Sequence, residues 1–559
     1  MISKSPEVTR RTALGTIGVA VGLSVMPGMA AAKEAPMVET VWGKVRGTLE
    51  NGVHSFKGVR YGAPTGGANR FMPPRPPEPW AGVADATAFG AMAPQSNPNP
   101  PSGGGGGSPI ILGRITRAGT DKPAAPKPVE SEDCLFLNVW TGGLDRMRKR
   151  PVMVWLHGGF FRLGSGAIDG SSLASRDDVV VVSVNHRLNI FGYNHLGDIA
   201  GPEFAHSGNA GMLDIVAALE WVRDNIEAFG GDPDRVMVFG ESGGGMKTSF
   251  LMASPAASGL IHRAGIQSGP GLRMMARDDA SRVAEIALRE LGIAPGNARQ
   301  LQSVDVDKLL VAFHAVSGQL RASQFTDLPS FSPVIDPVLL PQQPFSPDAA
   351  PLASSIPMMI GWNREDMAFF KGNDLQALDL TAAELEDRAR ALLGDRADAA
   401  LELYARLDSL ASPSDNYLRM ITDREIMVPT VQQALRHASA GDAGTWLYRM
   451  DWQSPAFDGK LGAPHTIETD FVFDTIGSFP EFTGAGPDAV KLAAQMSEAW
   501  VNFAAHGKPG APDLGLPPWA QFGPDNRVAM VFDETCRVEP AMIDEKLDLF
   551  GAARSPGAG

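Results

Sequence analysis

The feature that most constrains this chain is the pentapeptide Gly240-Glu241-Ser242-Gly243-Gly244, which stands between an apolar run at 236–239 and a helix-compatible stretch reaching Met252. A strand that turns into a helix this abruptly brings the two elements too close for side chains, and glycines flank the serine for that reason. The serine is thereby set at a helix N-terminus. Free N–H groups and the helix dipole there favour negative charge, the requirement of an acyl-transfer intermediate.

The same strand-then-helix rhythm runs through the chain. Residues 151–156 and 179–184 are short buried-strand candidates. Between 212 and 229, Met212, Ile215, Val216, Leu219, Val222, Ile226 and Phe229 recur at helical spacing with one apolar face. Gly230-Gly231-Asp232-Pro233 ends that helix. Alternation of this kind predicts an α/β fold with a large, mostly parallel central sheet flanked by helices. Helical stretches at 380–410 predict a cap-side subdomain, and a loose region at 346–355 precedes an apolar strand at 356–360. The Pro/Gly/Ser-rich segment 97–127, with five glycines at 103–107, reads as a flexible surface loop within one domain spanning 37–550.

Composition narrows the function classes. A formal net charge of −14 opposes any general grip on nucleic acid or anionic lipid, so a small organic substrate fits better. Two cysteines, Cys134 and Cys536, cannot staple a secreted scaffold. No metal-ligand motif and no phosphate loop occurs, so neither metal nor other cofactor is expected. Residues 1–32 read as a cleaved export signal: Lys4, Arg10 and Arg11, an apolar stretch at 13–25, then Ala30-Ala31-Ala32. Thr9-Arg10-Arg11-Thr12-Ala13-Leu14 is similar to a twin-arginine signal, with Ala13 and Gly15 departing from it. The apolar stretch is too short to span a bilayer, so an exported periplasmic or secreted protein without a stable membrane anchor is expected.

A serine nucleophile needs an oxyanion hole and a base. His157-Gly158-Gly159-Phe160-Phe161 directly follows the strand at 151–156, where backbone donors are required, and Gly159, Phe160 and Gly243 are the candidate N–H donors. With an elbow of this kind the chain order is serine, acid, histidine. Five of ten histidines precede Ser242, and His262 and His314 leave no strand-end acid in between. Of the remainder, His437 lies in a helical run and His506 at a helix end before Gly507. His465, in the loop Leu461-Gly462-Ala463-Pro464-His465, is free to reach the serine.

These residues and their neighbours carry a resemblance. Phe56-Lys57-Gly58-Val59 with Tyr61, Arg70-Phe71, Trp80, and Glu132-Asp133-Cys134-Leu135-Phe136-Leu137-Asn138-Val139 appear in order. Asn185-His186-Arg187-Leu188, Gly208-Asn209-Ala210-Gly211-Met212-Leu213-Asp214, Trp221-Val222, Phe229-Gly230-Gly231-Asp232-Pro233 and Gln267-Ser268-Gly269 follow, with Trp500 and Asn502-Phe503-Ala504 near the end. Over nearly the whole mature length the chain resembles the carboxylesterase type B (cholinesterase-like) family of α/β hydrolases. The resemblance implies that Ser242 is acylated, that His465 is the general base, and that a carboxylate after the strand at 356–360 orients the histidine. Gly361-Trp362-Asn363-Arg364-Glu365-Asp366 resembles the family's Gly-x-Asn-x-x-Glu stretch and aligns Asp366 with its glutamate. Glu365 is the second choice, one place earlier, where the family often has a solvated acid. Three departures stand out: Gly243 for the usual alanine, Phe160 for a third small residue, and Ala93 for the cysteine partner of Cys134. The last implies that Cys134 is a buried free thiol.

The implied chemistry is hydrolysis of a small-molecule carboxylic ester in two acyl transfers, without a cofactor. An amidase or thioesterase would use the same residues. A binding module of the same fold is the rival from another class, and such modules usually lack the serine or the histidine, both present here.

Overall fold

The computed structural model describes residues 35–98, 129–176, 178–323, 328–541 and 544–550. Residues 1–32, expected to be an export signal, lie outside them, as do nearly all of the 97–127 segment and the extreme C-terminus. Three short strands, β1 (Met37–Thr40), β2 (Gly43–Arg46) and β5 (Val83–Asp85), form a small sheet. The large sheet has eleven strands: β3 (Thr48–Glu50), β4 (Val53–Arg60), β6 (Phe136–Thr141), β7 (Arg150–Leu156), β8 (Val180–Val184), β9 (Gly231–Glu241), β10 (Arg263–Gln267), β11 (Met358–Asn363), β12 (Thr445–Met450), β13 (Val528–Phe532) and β14 (Arg537–Pro540). Their order is β14-β13-β12-β11-β10-β9-β7-β8-β6-β4-β3.

From β8 through β13 the neighbours are parallel, and antiparallel pairs occur only toward the two edges. Strands buried on both faces read as continuous apolar runs, and every residue of β7 and β8 is buried. The chain leaves β7 for β8 on one side and then returns to β9 on the other. That reversal is a topological switch point at the carboxyl ends of β7 and β9, the usual ligand position in an open α/β sheet.

Two elements outrun their expected bounds. The apolar run at 236–239 is the middle of β9, which begins at Gly231 because Arg150 pairs with that glycine. The strand expected at 356–360 is β11, displaced to Met358–Asn363, since Gly361, Trp362 and Asn363 continue the ladder on Tyr448, Arg449 and Met450. Within the loose region 346–355 the structure has a short helix, Pro351–Ser354. Helices Ala382–Leu393 and Ala397–Leu407 occupy the stretch read as helical cap.

The sequence landmarks are largely the fold's buried polar anchors. Arg187 grips Asp214 in bidentate fashion, at 2.8 and 2.6 Å, with both side chains buried. Arg70 does the same to Glu132, at 2.7 and 2.6 Å. Removing one partner of such a pair strands a charge and costs about 3–5 kcal/mol. Cys134 is a fully buried free thiol whose pKa burial pushes far up, with the Asp214 carboxylate adding to the shift.

Candidate active site

Ser242 sits between β9 and the helix Gly243–Ala253 with φ 55° and ψ −121°, a conformation that costs an ordinary residue about 1–3 kcal/mol. The turn is held by its surroundings. Ser242 N–H donates to Gln267 O at 2.8 Å, and Gln267 Oε1 accepts from the buried Trp500 indole at 3.2 Å. A Cβ on Gly240 would press on Gly244 Cα at 2.7 Å, and one on Gly269 would overlap the Ser242 carbonyl.

The loop after β7 lies against this turn. Gly159 has φ 81° and Phe160 φ 54°, so two successive residues take the left-handed conformation. A Cβ on Gly243 would overlap N, Cα and O of Phe160. The three expected N–H donors, Gly159, Phe160 and Gly243, are thus on two backbone segments in direct contact beside Ser242.

His465 follows β12 in the chain and enters from the loop that precedes helix Ile467–Val472. Its Nδ1 bonds Asp366 Oδ1, and its backbone N–H donates to Asp366 O at 3.1 Å. Asp366 Oδ2 in turn accepts from Asn363 N at 3.0 Å. The imidazole Nε2 faces Glu241 Oε1 at 3.0 Å, and in this conformation no hydrogen bond joins it to Ser242. Phe369 and Phe370 pack on the ring, with centroids 5.7 and 5.1 Å away.

Glu365 is not the solvated acid expected at its position. It is buried, and its Oε1 accepts from Arg364 Nε and Arg419 Nε, each at 2.8 Å. Its Oε2 accepts from Ala463 N at 2.9 Å, and its own N–H donates to Ala463 O at 3.1 Å. It therefore holds the His465 loop by its backbone, two residues from the imidazole. His437 and His506 are far from this role: His437 bonds Thr445 Oγ1 and Ile356 O, and His506 ends helix Pro487–His506 before a left-handed Gly507.

Three buried acids surround one imidazole. Burial pushes the His465 pKa down, but Glu241 and Asp366 more than reverse that and hold it well above the usual histidine value. Glu468, three residues on, is pushed up to about 8 by burial and then by Glu241 and Asp366. It accepts from Asn363 Nδ2. Neither Glu241 nor Glu468 stands out in the sequence. The available signal was weak: Glu241 filled the variable place of the motif, and Glu468 was one acid beside an apolar helix face. No group of three or more His, Cys, Asp or Glu able to hold a metal exists among the described residues.

Fold and site geometry together define an α/β hydrolase. The carboxylesterase family profile matches residues 34–550, and the chain belongs to that family. It is 37% identical to the para-nitrobenzyl esterase of Bacillus subtilis (strain 168), across 91% of this chain and 97% of the relative. A solved carboxylesterase of Geobacillus stearothermophilus superposes with a TM-score of 0.75 at 34% identity, covering 92% of this chain and 99% of its own. An esterase from anaerobic Clostridium hathewayi that can hydrolyze aliphatic aromatic polyesters gives 0.76 at 34% identity, covering 93% and 99%. The protein is a carboxylic ester hydrolase.

Proposed function

We propose that Ser242 is the acylated nucleophile, that His465 is its general base, and that Asp366 holds the imidazole in the productive tautomer. The observation that carries this reading is His465 bonded through Nδ1 to a buried Asp366, leaving Nε2 on the side of the elbow. Ser242 attacks the ester carbonyl as Nε2 takes its proton. The tetrahedral oxyanion is held by the N–H groups of Gly159, Phe160 and Gly243. The alcohol leaves with the proton from Nε2, and water repeats the sequence to release the acid. Small-molecule esters are the substrates.

A fluorophosphonate probe tests the assignment. Labelling of Ser242, located by peptide mass spectrometry and abolished in Ser242→Ala, is the expected result. Labelling elsewhere, or a fully active Ser242→Ala, overturns it. Parallel turnover of matched ester, amide and thioester substrates tests the preference for esters. Residues 1–32 are proposed as a cleaved twin-arginine export signal, supported by Arg10-Arg11, the short apolar stretch and the alanines at 30–32. Export blocked by Arg10→Lys with Arg11→Lys is the expected result. No helix among the described residues is long and apolar enough to cross a membrane.

A further inference from the structure

Lys247 is fully buried on the helix Gly243–Ala253, five residues after Ser242. A lysine is rarely buried so completely unless its ammonium has work to do or a partner to hold. Its Nζ donates to the carbonyl oxygen of His157 at 2.9 Å. His157 is the first residue after β7, and the next three are Gly158, Gly159 and Phe160, the loop placed against Gly243. The His157 ring is buried and stacks on His186 at 4.8 Å, the two planes within 9°. The Nε2 atoms of both rings are buried without a hydrogen-bond partner, so neither imidazole anchors the loop through that atom.

We propose that Lys247 is a positioning residue of the ester-hydrolysing site, its ammonium fixing the His157 carbonyl so that the Gly159 and Phe160 N–H groups stay aimed at the oxyanion. The inference rests on the reading that Gly159, Phe160 and Gly243 form the oxyanion hole. Physical chemistry supports it in two ways. Gly159 and Phe160 both occupy left-handed backbone, and such a loop persists only where the surroundings over-determine it. A charge-assisted bond to the carbonyl at the loop's first residue is the strongest tether on offer there. The ammonium also lies in the field of Glu241, the carboxylate facing His465 Nε2. Burial lowers the Lys247 pKa to about 7, with Glu241 opposing the shift. While protonated, the one ammonium both tethers the loop and offsets the negative charge of the site.

The test compares Lys247→Met, Lys247→Gln and Lys247→Arg with wild type on a p-nitrophenyl ester, counting active sites by fluorophosphonate labelling of Ser242. Lys247→Met is expected to lower kcat per labelled serine by about tenfold to a hundredfold with KM within about twofold, somewhat less than loss of an oxyanion donor itself. A trifluoromethyl ketone, which binds as the tetrahedral adduct, should lose affinity in the same proportion as kcat/KM. Lys247→Gln keeps a donor without charge and should fall between, and Lys247→Arg should recover part of the loss. Unchanged kcat per labelled serine in Lys247→Met, or a loss confined to KM, overturns the proposal. A crystal structure of wild type with the ketone bound needs no variant. Nζ retained on His157 O with the adduct oxygen on the loop supports the role, and Nζ elsewhere overturns it. A probe that does not attach to Ser242 in wild type overturns the underlying site assignment instead, and the two failures are told apart by that control.

Discussion

Gly243 and Phe160 are fitted to each other through their backbones: the space a side chain on Gly243 would need is filled by N, Cα and O of Phe160. The glycine at 243 is therefore required by the path of the loop backbone and not by the Phe160 ring. Gly243→Ala, conservative on paper, should push the loop off the elbow and lower kcat by about a hundredfold or more, the cost of losing one oxyanion donor. Phe160→Gly relieves the left-handed strain and frees the loop to shift, so the double variant should recover part of that loss. Steady-state kinetics on the two single variants and the double variant checks the coupling.

The Phe160 side chain is 39% exposed beside the elbow, and its bulk should narrow the room for the alcohol of the ester. Esters of tertiary alcohols are therefore expected to be poor substrates. The measurement is kcat/KM for tert-butyl against ethyl esters of one acid, in wild type and Phe160→Gly. Comparable values in wild type would count against the idea.

Asp366 and Glu365 are adjacent, buried and differently employed. Asp366→Asn should lower kcat by up to about ten-thousandfold, because an amide stabilises the wrong imidazole tautomer. Glu365→Gln keeps an acceptor for Ala463 N but takes one of two carboxylates from each of Arg364 and Arg419, which retain Asp451 and Asp408 respectively. It should cost about 1–3 kcal/mol of stability and spare kcat to within about tenfold. Thermal unfolding and kcat measured side by side separate the two roles. The reverse pattern would move the orienting acid to Glu365.

In its proposed role only neutral His465 accepts the serine proton, and Glu241 and Asp366 hold its pKa above the usual value of about 6.5. Activity should be lost at acid pH and rise through that elevated pKa, so the acid limb of kcat/KM is centred above about 6.5. Glu241→Gln removes the larger of the two attractions and should move the limb to lower pH. Stability follows the opposite course. The raised pKa contributes stability below the unfolded value and loses it as pH rises through the folded one. In Glu241→Gln that loss should also begin at lower pH, which chemical denaturation at several pH values would read.

His465→Ala should be nearly as damaging to kcat as Ser242→Ala, for which about a millionfold fall is expected. His506→Ala should cost stability at most, since His506 closes a helix at Gly507. Equal loss of turnover in both histidine variants would undo the elimination by which His465 was found.

The strand, elbow and helix around Ser242 were legible because local packing dictates their residues: only glycine tolerates Leu156 O and Gly244 Cα at position 240. His465 could be reached by chain order and by the helical settings of its rivals. Asp366 needed the family's register, since sequence alone does not say which of two adjacent acids turns toward a loop about a hundred residues away. The burial of Glu365 is not legible in the sequence because its partners Arg419 and Ala463 are brought to it only by tertiary folding. Glu241, Lys247 and Glu468 escaped notice for a related reason. What each of them faces is set by elements distant in the chain.

The ends of β7, β9, β11 and β12 deliver the parts of the site, from His157 to His465, a span that includes most of the molecule. No contiguous fragment shorter than that span can hold them all. Recovered turnover during refolding therefore reports that these strands have paired, and should lag behind the return of helical ellipticity. Esterase activity is in this sense a clock for assembly of the sheet from β7 to β12, and a chain that ends before β12 should never start it.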